Sequence, residues 1–227
     1  MMSYFSRLLV RGTLSGLDIL LTLNVFSYNV PELIYYKFNT PGATVQNEAS
    51  APVGTNPAAV QGLTIGGTGQ WLTGLQGNGG SSTTNRVNTG WATNLGTGPW
   101  TISFYIDGAA NNTTLYYLFG DATATSFRSF IGGVAGAGNV IIRGGGLPDC
   151  IVPGIASGPN VVHFVYNQST IKGYKNGVEV VSVPAAAANI NGAGPFTVGG
   201  YSSSVGMNAG SIMDEFRVYN RALDAAE

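Results

Sequence analysis

The stretch 171-IKGYKNGVEVVSV-183 carries the clearest local signal in the chain. Two β-prone runs flank Asn176-Gly177, a dipeptide that is typical of a type I′ turn because both turn residues need positive φ. The pattern therefore predicts an antiparallel β-hairpin. Its register pairs residues across the two strands, Lys175 with Val178, Tyr174 with Glu179, and Lys172 with Val181.

The composition extends this prediction to the whole chain. Charged residues make up 9% of the 227 residues, against a usual share of about 25%, and glycine is abundant at 34 residues. Such a chain favours many short strands joined by small polar turns, and its length suits one β domain. The net charge of −1 offers no basic stripe for a phosphate backbone, so nucleic acid is not an expected partner. Cys150 is the single cysteine, which excludes an internal disulfide and predicts a small buried residue.

Strand candidates follow one another with turn signals between them. They are residues 33–39, 62–67, 85–91, 100–107, 113–121, 126–133, 139–145, 160–167, 170–175, 178–183, 195–202 and 211–219. Residues 40–61 lack periodicity and are rich in Pro, Ala and Thr, which predicts a long surface loop. The ending 221-RALDAAE-227 favours a helical turn because it contains Ala and Leu without β-branched residues.

The N-terminal residues 1–32 allow two interpretations. Basic residues precede an apolar run, as in a signal peptide, but Asp18 and Asn24 interrupt that run and it is too short and polar to span a bilayer. With a period of two, apolar residues share one face: Leu17, Ile19, Leu21, Leu23 and Val25. The alternation favours a β-strand or extended arm, and a cleaved leader of residues 1–30 is the alternative.

Four segments together resemble one known family. They are 33-LIYYKFN-39, 98-GPWTISFYID-107, 161-VVHFVYNQSTIKGYKNGVEVVSV-183, and the run from 195-PFTVGG-200 to 210-GSIMDEFRVYNRALDAAE-227. In order and character they are similar to the laminin-G-like, concanavalin A-like jelly-roll family, to which pentraxin-type domains also belong. The resemblance covers residues 33–227 and leaves residues 1–32 outside. It implies an all-β fold of two antiparallel sheets packed face to face.

The resemblance also implies function, because most members of the family bind glycans or protein surfaces and many carry a structural Ca²⁺. Related glucanases place their acids on one strand as Glu-x-Asp-x-Glu, and no such triplet occurs here. Asp214 and Glu215 are adjacent, so in a regular strand they point to opposite faces and cannot act as a pair. His163 is the single histidine and lies in an apolar strand, which favours a structural role. The protein is therefore expected not to be an enzyme.

Asp214 is the acid with the most specific expectation. Strict alternation places it on one face with Ile212, Phe216 and Val218, where a carboxylate must be paired, hydrogen-bonded or metal-bound. One interpretation is a structural Ca²⁺ held by Asp214, Asn39 and backbone carbonyls of the opening loop. The other is a carboxylate that caps backbone amides where the first and last strands meet.

Aromatic side chains are candidates for stacking on sugars. The candidates are Trp71, Trp91, Trp100 and Tyr201, of which Trp100 is expected in the core. Tyr201 precedes 202-SSS-204 and is the preferred exposed ligand contact.

Two roles fit these features. Because no enzyme domain accompanies the jelly roll, the export signal is unconvincing and an arm precedes the domain, the sequence favours a non-enzymatic virion structural or decoration protein on a phage-like capsid or tail surface. Its arm would contact other virion proteins in a homo-oligomer or lattice, and the jelly roll would bind host glycans weakly and multivalently. The alternative is a secreted or cell-surface carbohydrate-binding or adhesion module.

Overall fold

The computed structural model describes residues 6–14, 17–25, 32–202, 204–224 and 227, the first two ranges by their backbone alone. The chain divides into two compact units, Met1–Pro31 and Glu32–Glu227. In the first unit, strand β1 (Ser6–Leu14) pairs antiparallel with β2 (Leu17–Val25). The alternation at residues 17–25 thus corresponds to a strand, and its partner strand was not predicted from the sequence.

In its described residues, the second unit contains eighteen strands and two short 3₁₀ helices, Gly133–Ala135 and Ile155–Ser157. The strands are β3 (Glu32–Tyr36), β4 (Thr44–Val45), β5 (Ala58–Gln61), β6 (Thr64–Thr68), β7 (Thr73–Gln76), β8 (Arg86–Asn88), β9 (Asn94–Gly96), β10 (Trp100–Asp107), β11 (Tyr116–Asp121), β12 (Phe127–Ile131), β13 (Val140–Gly144), β14 (Leu147–Val152), β15 (Asn160–Tyr166), β16 (Thr170–Lys175), β17 (Val178–Pro184), β18 (Ile190–Asn191), β19 (Thr197–Val198) and β20 (Ile212–Tyr219). Among the residues that the structure describes, no helix has the length and apolar character needed to cross a membrane.

These strands form two large antiparallel sheets. Sheet I has the order β17-β16-β15-β10-β20-β7-β6, and β3 also pairs with β20. Sheet II has the order β14-β13-β12-β11-β19-β8-β5-β4, while β18 and β9 form a separate pair. The predicted all-β, two-sheet jelly-roll sandwich is confirmed.

The core lies between the two sheets and is rich in aromatic rings. Phe104 of sheet I contacts Phe119 of sheet II with ring centroids 5.6 Å apart, and Phe119 contacts Phe216 at 5.3 Å. Along β10, residues 102, 104 and 106 enter this core, so the residues between them face away from it. Trp100 is fully buried, as predicted.

The hairpin that opened the sequence analysis is present. Asn176 and Gly177 both have positive φ, 51° and 79°, as a type I′ turn requires. The predicted pairs of Lys175 with Val178 and of Tyr174 with Glu179 are confirmed. The predicted pair of Lys172 with Val181 is wrong, because an irregularity next to Gly173 shifts the register by one residue. Lys172 pairs with Ser182 instead.

Two other local predictions differ from the structure. The predicted loop of residues 40–61 contains β4 and β5, and β5 pairs with β4 on one side and with the distant β8 on the other. The helical turn predicted at residues 221–227 is absent from residues 221–224, and its residues 225 and 226 lie outside the described part of the chain. Here the Thr101 hydroxyl donates to the Arg221 carbonyl at 2.9 Å and accepts from the Leu223 amide at 3.0 Å. These contacts with β10 outweigh the weak local helix preference.

Strand β20 departs from strict alternation at Glu215. This residue has φ 51°, and the pairing with β10 passes from Tyr105–Asp214 to Ser103–Arg217, so two residues of β20 oppose Phe104. Met213, Phe216 and Val218 enter the core. The prediction that Asp214 shares a face with Phe216 and Val218 was therefore wrong, because the bulge places Asp214 and Glu215 on the same outer side.

Candidate functional site

The outer side of sheet I holds a cavity of about 360 Å³. Its floor is formed by alternate residues of three neighbouring strands, whose intervening residues enter the core. These floor residues are Thr101, Ser103 and Tyr105 of β10, Val161, His163 and Val165 of β15, and Glu215, Arg217 and Tyr219 of β20. The floor thus combines hydroxyl groups, an imidazole, an ion pair and aromatic rings.

One wall of the cavity is the turn between β6 and β7, which carries Gln70 and Trp71. The Trp71 side chain is 62% exposed, whereas Trp91 and Trp100 are buried. A Cβ added to Gly69 in this turn would lie 2.5 Å from Asp214 Oδ2. Glycine is therefore required there for the turn to approach β20 as closely as it does.

Asp214 holds this turn from below. Its side chain is fully buried; Oδ2 accepts from the Trp71 amide at 3.1 Å and Oδ1 from the Glu215 amide at 2.8 Å. Burial raises the pKa of Asp214 to about 6, and the hydrogen bonds from backbone amides offset only part of this effect. A carboxylate with these contacts fixes the backbone that displays the Trp71 indole.

Asn39, three residues after the end of β3, reaches the same turn. With its amide group oriented to satisfy its neighbours, its nitrogen donates to the Trp71 carbonyl at 2.6 Å and to the Lys37 carbonyl at 3.3 Å. The structure therefore brings Asn39 and Asp214 to one residue, Trp71, as hydrogen-bond partners of its backbone.

This donor set does not fit a calcium ion. Ca²⁺ requires six to eight oxygen ligands, whereas both carboxylate oxygens of Asp214 are already occupied by backbone amides. The described residues also contain no cluster of three His, Cys, Asp or Glu side chains. The geometry favours the alternative, a carboxylate that caps amides where β20 changes partners from β7 to β3. The calcium binding predicted from the sequence is left to experiment, and the geometry predicts that calcium does not bind here.

Glu215 and Arg217 form a network with Tyr35 of β3. Arg217 donates to Glu215 Oε2 and to the Tyr35 hydroxyl, each at 2.7 Å, and Tyr35 donates to Glu215 Oε2 at 2.7 Å. The guanidinium also lies 4.0 Å from the Tyr35 ring centroid. Burial raises the pKa of Tyr35, and the hydrogen bond to Glu215 raises it further. The network holds one ion pair rigidly in the cavity floor.

His163 lies in the middle of this floor, opposite Ser103 on one side and Tyr174 on the other. Burial lowers the pKa of His163, and the nearby Arg217 charge lowers it further, so the imidazole is neutral at pH 7. The sequence favoured a structural histidine within an apolar strand. The structure instead places it on the outer side, where its neutral ring offers one donor and one acceptor.

The segment after β20 forms the opposite wall from Trp71. Leu223, Asp224 and Glu227 line the cavity there. Thr101 fixes the segment through the two hydrogen bonds described above, and Arg221 forms an ion pair with Glu227. This wall is acidic, since it contributes two carboxylates to the cavity.

Tyr201, the preferred exposed aromatic of the sequence analysis, lies elsewhere and is buried. It is 5% exposed and packs against Tyr117 with centroids 4.9 Å apart, in a small apolar cluster on the outer side of sheet II with Phe130 and Ile141. The neighbouring serines suggested exposure, but Tyr117 covers the ring. The prediction of an exposed Tyr201 was therefore wrong.

Trp71 is one of the four candidate aromatics of the sequence but not the preferred one, and the alternating polar residues of β10 are site residues that the sequence analysis missed. A usable signal was present, because Thr101, Ser103 and Tyr105 alternate with buried residues in the best-predicted strand. Polar residues at alternate positions of a central strand indicate a face that is not core. Chemically, the resulting surface can pack an aromatic ring against a ligand and offer hydroxyl, amide and imidazole groups beside it.

Solved structures with the same fold provide a comparison. The binding domain of Paraclostridial Mosquitocidal Protein 1 superposes with a TM-score of 0.66 and 16% identity, over 86% of this chain and 50% of that one. The binding domain of Botulinum neurotoxin DC, in complex with SialylT, gives 0.62 and 14% over 88% and 50%. The chain thus spans about half the length of these two binding domains.

A smaller structure is matched over nearly its whole length. Domain 4 of AbnA, a GH43 extracellular arabinanase from Geobacillus stearothermophilus in complex with arabinotriose, gives a TM-score of 0.60 and 16% identity, over 87% of this chain and 96% of that one. At these identities the likeness shows the fold. No curated protein sequence matches the chain.

The family assignment comes from the sequence profile of Laminin_G_3, described as the concanavalin A-like lectin/glucanases superfamily, which matches residues 76–227. The match contains β10, β15 and β20, the three strands that form the cavity floor. It agrees with the resemblance read from the sequence segments. The chain therefore belongs to the concanavalin A-like lectin/glucanase superfamily.

Proposed function

We propose that residues 32–227 form a non-enzymatic glycan-binding module whose ligand lies on the outer side of sheet I, against Trp71. The observation that carries this proposal is the exposed Trp71 indole beside a cavity lined with polar side chains. A single exposed aromatic side chain is ordinary on a protein surface. It is the position of this indole at a cavity with convergent polar groups that indicates a ligand site.

The chemistry of the cavity suits a saccharide. The apolar face of a sugar ring packs against the indole, and its hydroxyl groups meet Gln70, Ser103, Tyr105 and His163. The cavity volume of about 360 Å³ lies at the lower end of the range for small-ligand sites, about 300–1,000 Å³. A short oligosaccharide or the end of a longer one is the expected ligand size.

The comparisons support binding rather than catalysis. A domain of similar fold is in complex with arabinotriose, and two others are the binding domains of toxins. In this chain the two acids near the cavity floor are engaged, Asp214 by backbone amides and Glu215 by Arg217 and Tyr35. Glycoside hydrolysis needs a free acid and a second carboxylate across the bond, about 5–9.5 Å apart.

A glycan array probed with the protein in a multivalent form tests the proposal. Arabinotriose is the first ligand to test by calorimetry. We expect Trp71→Ala to abolish binding and Leu72→Ala to retain it. Leu72 is the matched control because it is adjacent and 76% exposed but does not line the cavity. Absence of any binding at high valency would overturn the proposal, and binding that survives Trp71→Ala would place the site elsewhere.

A finer role is proposed for the whole chain, that of a virion surface or decoration protein. The separate paired-strand unit Met1–Pro31 supports it as a means of contact with other virion proteins, and the low charge suits a displayed surface. In this role the protein would form a homo-oligomer or lattice at the virion surface. The alternative is an extracellular or cell-surface adhesion module with residues 1–30 as leader.

N-terminal sequencing of the mature protein, together with antibody labelling of native particles, separates these two roles. Intact residues 1–30 and labelled particles are expected. Loss of about thirty residues would contradict the virion role and favour the secreted module.

A further inference from the structure

We infer that the sheet I cavity takes uncharged saccharides and rejects saccharides that carry a carboxylate, sulfate or phosphate group. The inference rests on the proposed glycan-binding function and specifies its ligand class. It comes from the distribution of charge around the cavity.

Carboxylates outnumber cations on the cavity surface. Glu215 in the floor, and Asp224 and Glu227 in the wall, line the cavity, whereas the guanidinium groups at hand are two, that of Arg217 in the floor and that of Arg221, which pairs with Glu227. Asp214 lies beneath the cavity wall at Trp71, where its carboxylate accepts hydrogen bonds from the Trp71 and Glu215 amides. A ligand at this surface therefore meets an excess of negative charge.

The cations near the cavity are already engaged by acids. Arg217 pairs with Glu215 at 2.7 Å and Arg221 pairs with Glu227. Lys172 lies on β16, next to the cavity-lining Val165 of β15, and forms an ion pair with Glu179 at 2.8 Å. An anionic sugar would have to break one of these pairs to gain a cation, and the freed acid would then be left beside it.

His163 adds no positive charge at neutral pH. It is half-buried and pairs across the sheet with Ser103 on one side and Tyr174 on the other. Ser103 in turn pairs with Arg217 of β20, so Arg217 lies on the same side of the sheet, one strand further away. Burial and this neighbouring charge both lower the pKa of His163. Its ring thus serves an uncharged hydroxyl group as donor or acceptor, and does not bind a carboxylate as an imidazolium would.

Rejection of anions follows from these contacts. An unpaired negative group placed next to Glu215 and Asp224 is repelled by them and loses the strong hydration of a charge. A hydroxyl group is not repelled, and it loses much less hydration, which hydrogen bonds in the cavity can replace. Selectivity of this kind arises from repulsion of the wrong ligand rather than from extra contacts to the right one. We expect a matched anionic glycan to bind at least about tenfold more weakly than its neutral parent at low salt.

The test uses glycan pairs that differ by one acidic group, on an array at low ionic strength. Cellotetraose is paired with its C6-oxidised form, and N-acetyllactosamine with its sialylated form. The wild-type chain is expected to bind neutral members and not their acidic partners. Equal or stronger binding of acidic members would overturn the inference while leaving the proposed function intact. Binding to neither member of any pair would overturn the proposed function, and the inference with it.

A charge-neutralised variant sharpens the test. Asp224→Asn with Glu227→Gln removes two negative charges from the wall, and it should narrow the difference between neutral and acidic partners. Asp149→Asn is the control, since Asp149 pairs with Arg143 on sheet II, away from the cavity floor. Thermal melting checks that each variant is folded. An unchanged preference in the folded double variant would contradict the electrostatic origin.

Discussion

The buried carboxylate of Asp214 accepts a hydrogen bond from the backbone amide of Trp71 at 3.1 Å, although the two residues lie 143 positions apart in the sequence. Through this contact, strand β20 determines the conformation of the turn that displays the exposed indole. Asn39 binds the carbonyl of the same residue, so Trp71 is held on both sides of its backbone.

Asp214→Ala removes both acceptors from beneath this turn. The amides of Trp71 and Glu215 lose their partners, so we expect the free energy of unfolding to fall by about 1–3 kcal/mol. Hydrogen exchange of the Trp71 amide should become faster than that of neighbouring sheet amides. Unchanged exchange at Trp71 would show that the carboxylate does not hold the turn. Asp149→Ala, on sheet II, is the control for loss of an acid.

The pH dependence of stability should carry a contribution from Asp214. Its folded-state pKa of about 6 lies above the ordinary value of 3.8, so the folded chain binds this proton more tightly than the unfolded chain. Its stabilising contribution is full below about pH 3.8 and is lost as the pH rises through about 6. The amplitude is on the order of 2–3 kcal/mol.

Urea unfolding from pH 4 to pH 7.5 isolates this contribution as the difference between wild type and Asp214→Asn. Glu215 on β20 and Tyr105 on β10 face the carboxylate and remain in both chains. Parallel pH curves for the two chains would contradict the prediction.

Asp121 contributes to the pH dependence of stability in the opposite direction. Burial raises its pKa, but hydrogen bonds from Thr123 and Thr93 outweigh burial and lower it, so its contribution is lost as the pH falls.

Calcium should leave the stability unchanged. Both oxygens of Asp214 are occupied by backbone amides, so added Ca²⁺ would have to displace these hydrogen bonds to gain the carboxylate. We expect the melting temperatures in CaCl₂ and in EDTA to agree within about 1 °C. A stabilisation of several degrees, lost in Asp214→Asn, would restore the calcium site predicted from the sequence.

Gly177→Ala should destabilise the hairpin through its backbone alone. Gly177 has φ 79°, and a Cβ added there would meet no atom within 4 Å, so a steric clash does not contribute. The left-handed conformation costs alanine about 1–2 kcal/mol. Gly66→Ala is the control because its added Cβ is equally free and its φ is not positive. Equal unfolding free energies for the two variants would contradict this assignment.

Tyr201 and Trp71 should respond to truncation in opposite ways. Tyr201→Ala empties a buried position next to Tyr117 and should cost about 3–5 kcal/mol of stability. Trp71→Ala removes an exposed ring and should change stability by less than about 0.5 kcal/mol while abolishing glycan binding. Calorimetric melting and the array together measure both effects. A folded Tyr201→Ala protein with normal stability would contradict the burial.

Much of the fold could be predicted because its signals are local. The boundaries of β10 and β16 agree with the predicted ones, since alternation and an Asn-Gly turn are properties of adjacent residues. Strand β5 could not be predicted in the same way. Its sequence is weakly β-prone, and its pairing partners lie at residues 44–45 and 86–88.

The site was harder to predict than the fold. Period-two logic gives the wrong face for Asp214, because the bulge at Glu215 arises where β20 changes from β7 to β3. The exposure of Trp71 depends on a turn fixed by Asp214 and Asn39, and the burial of Tyr201 depends on Tyr117. These relationships connect distant segments, so neighbouring residues carry little information about them.

The position of β20 has a consequence for how the chain folds. It lies between β10 and the strands β7 and β3, and the Arg217–Tyr35 contact joins residues 182 apart. Until residues 212–219 have left the ribosome, the centre of sheet I is missing and the edges of β10 and β7 remain unpaired. Completion of the sandwich therefore waits for residues 212–219 and is governed by long-range pairing, which is intrinsically slow. A chain that lacks these residues would leave Phe104 and Phe119 without their ring contacts to Phe216 and would expose part of its aromatic core.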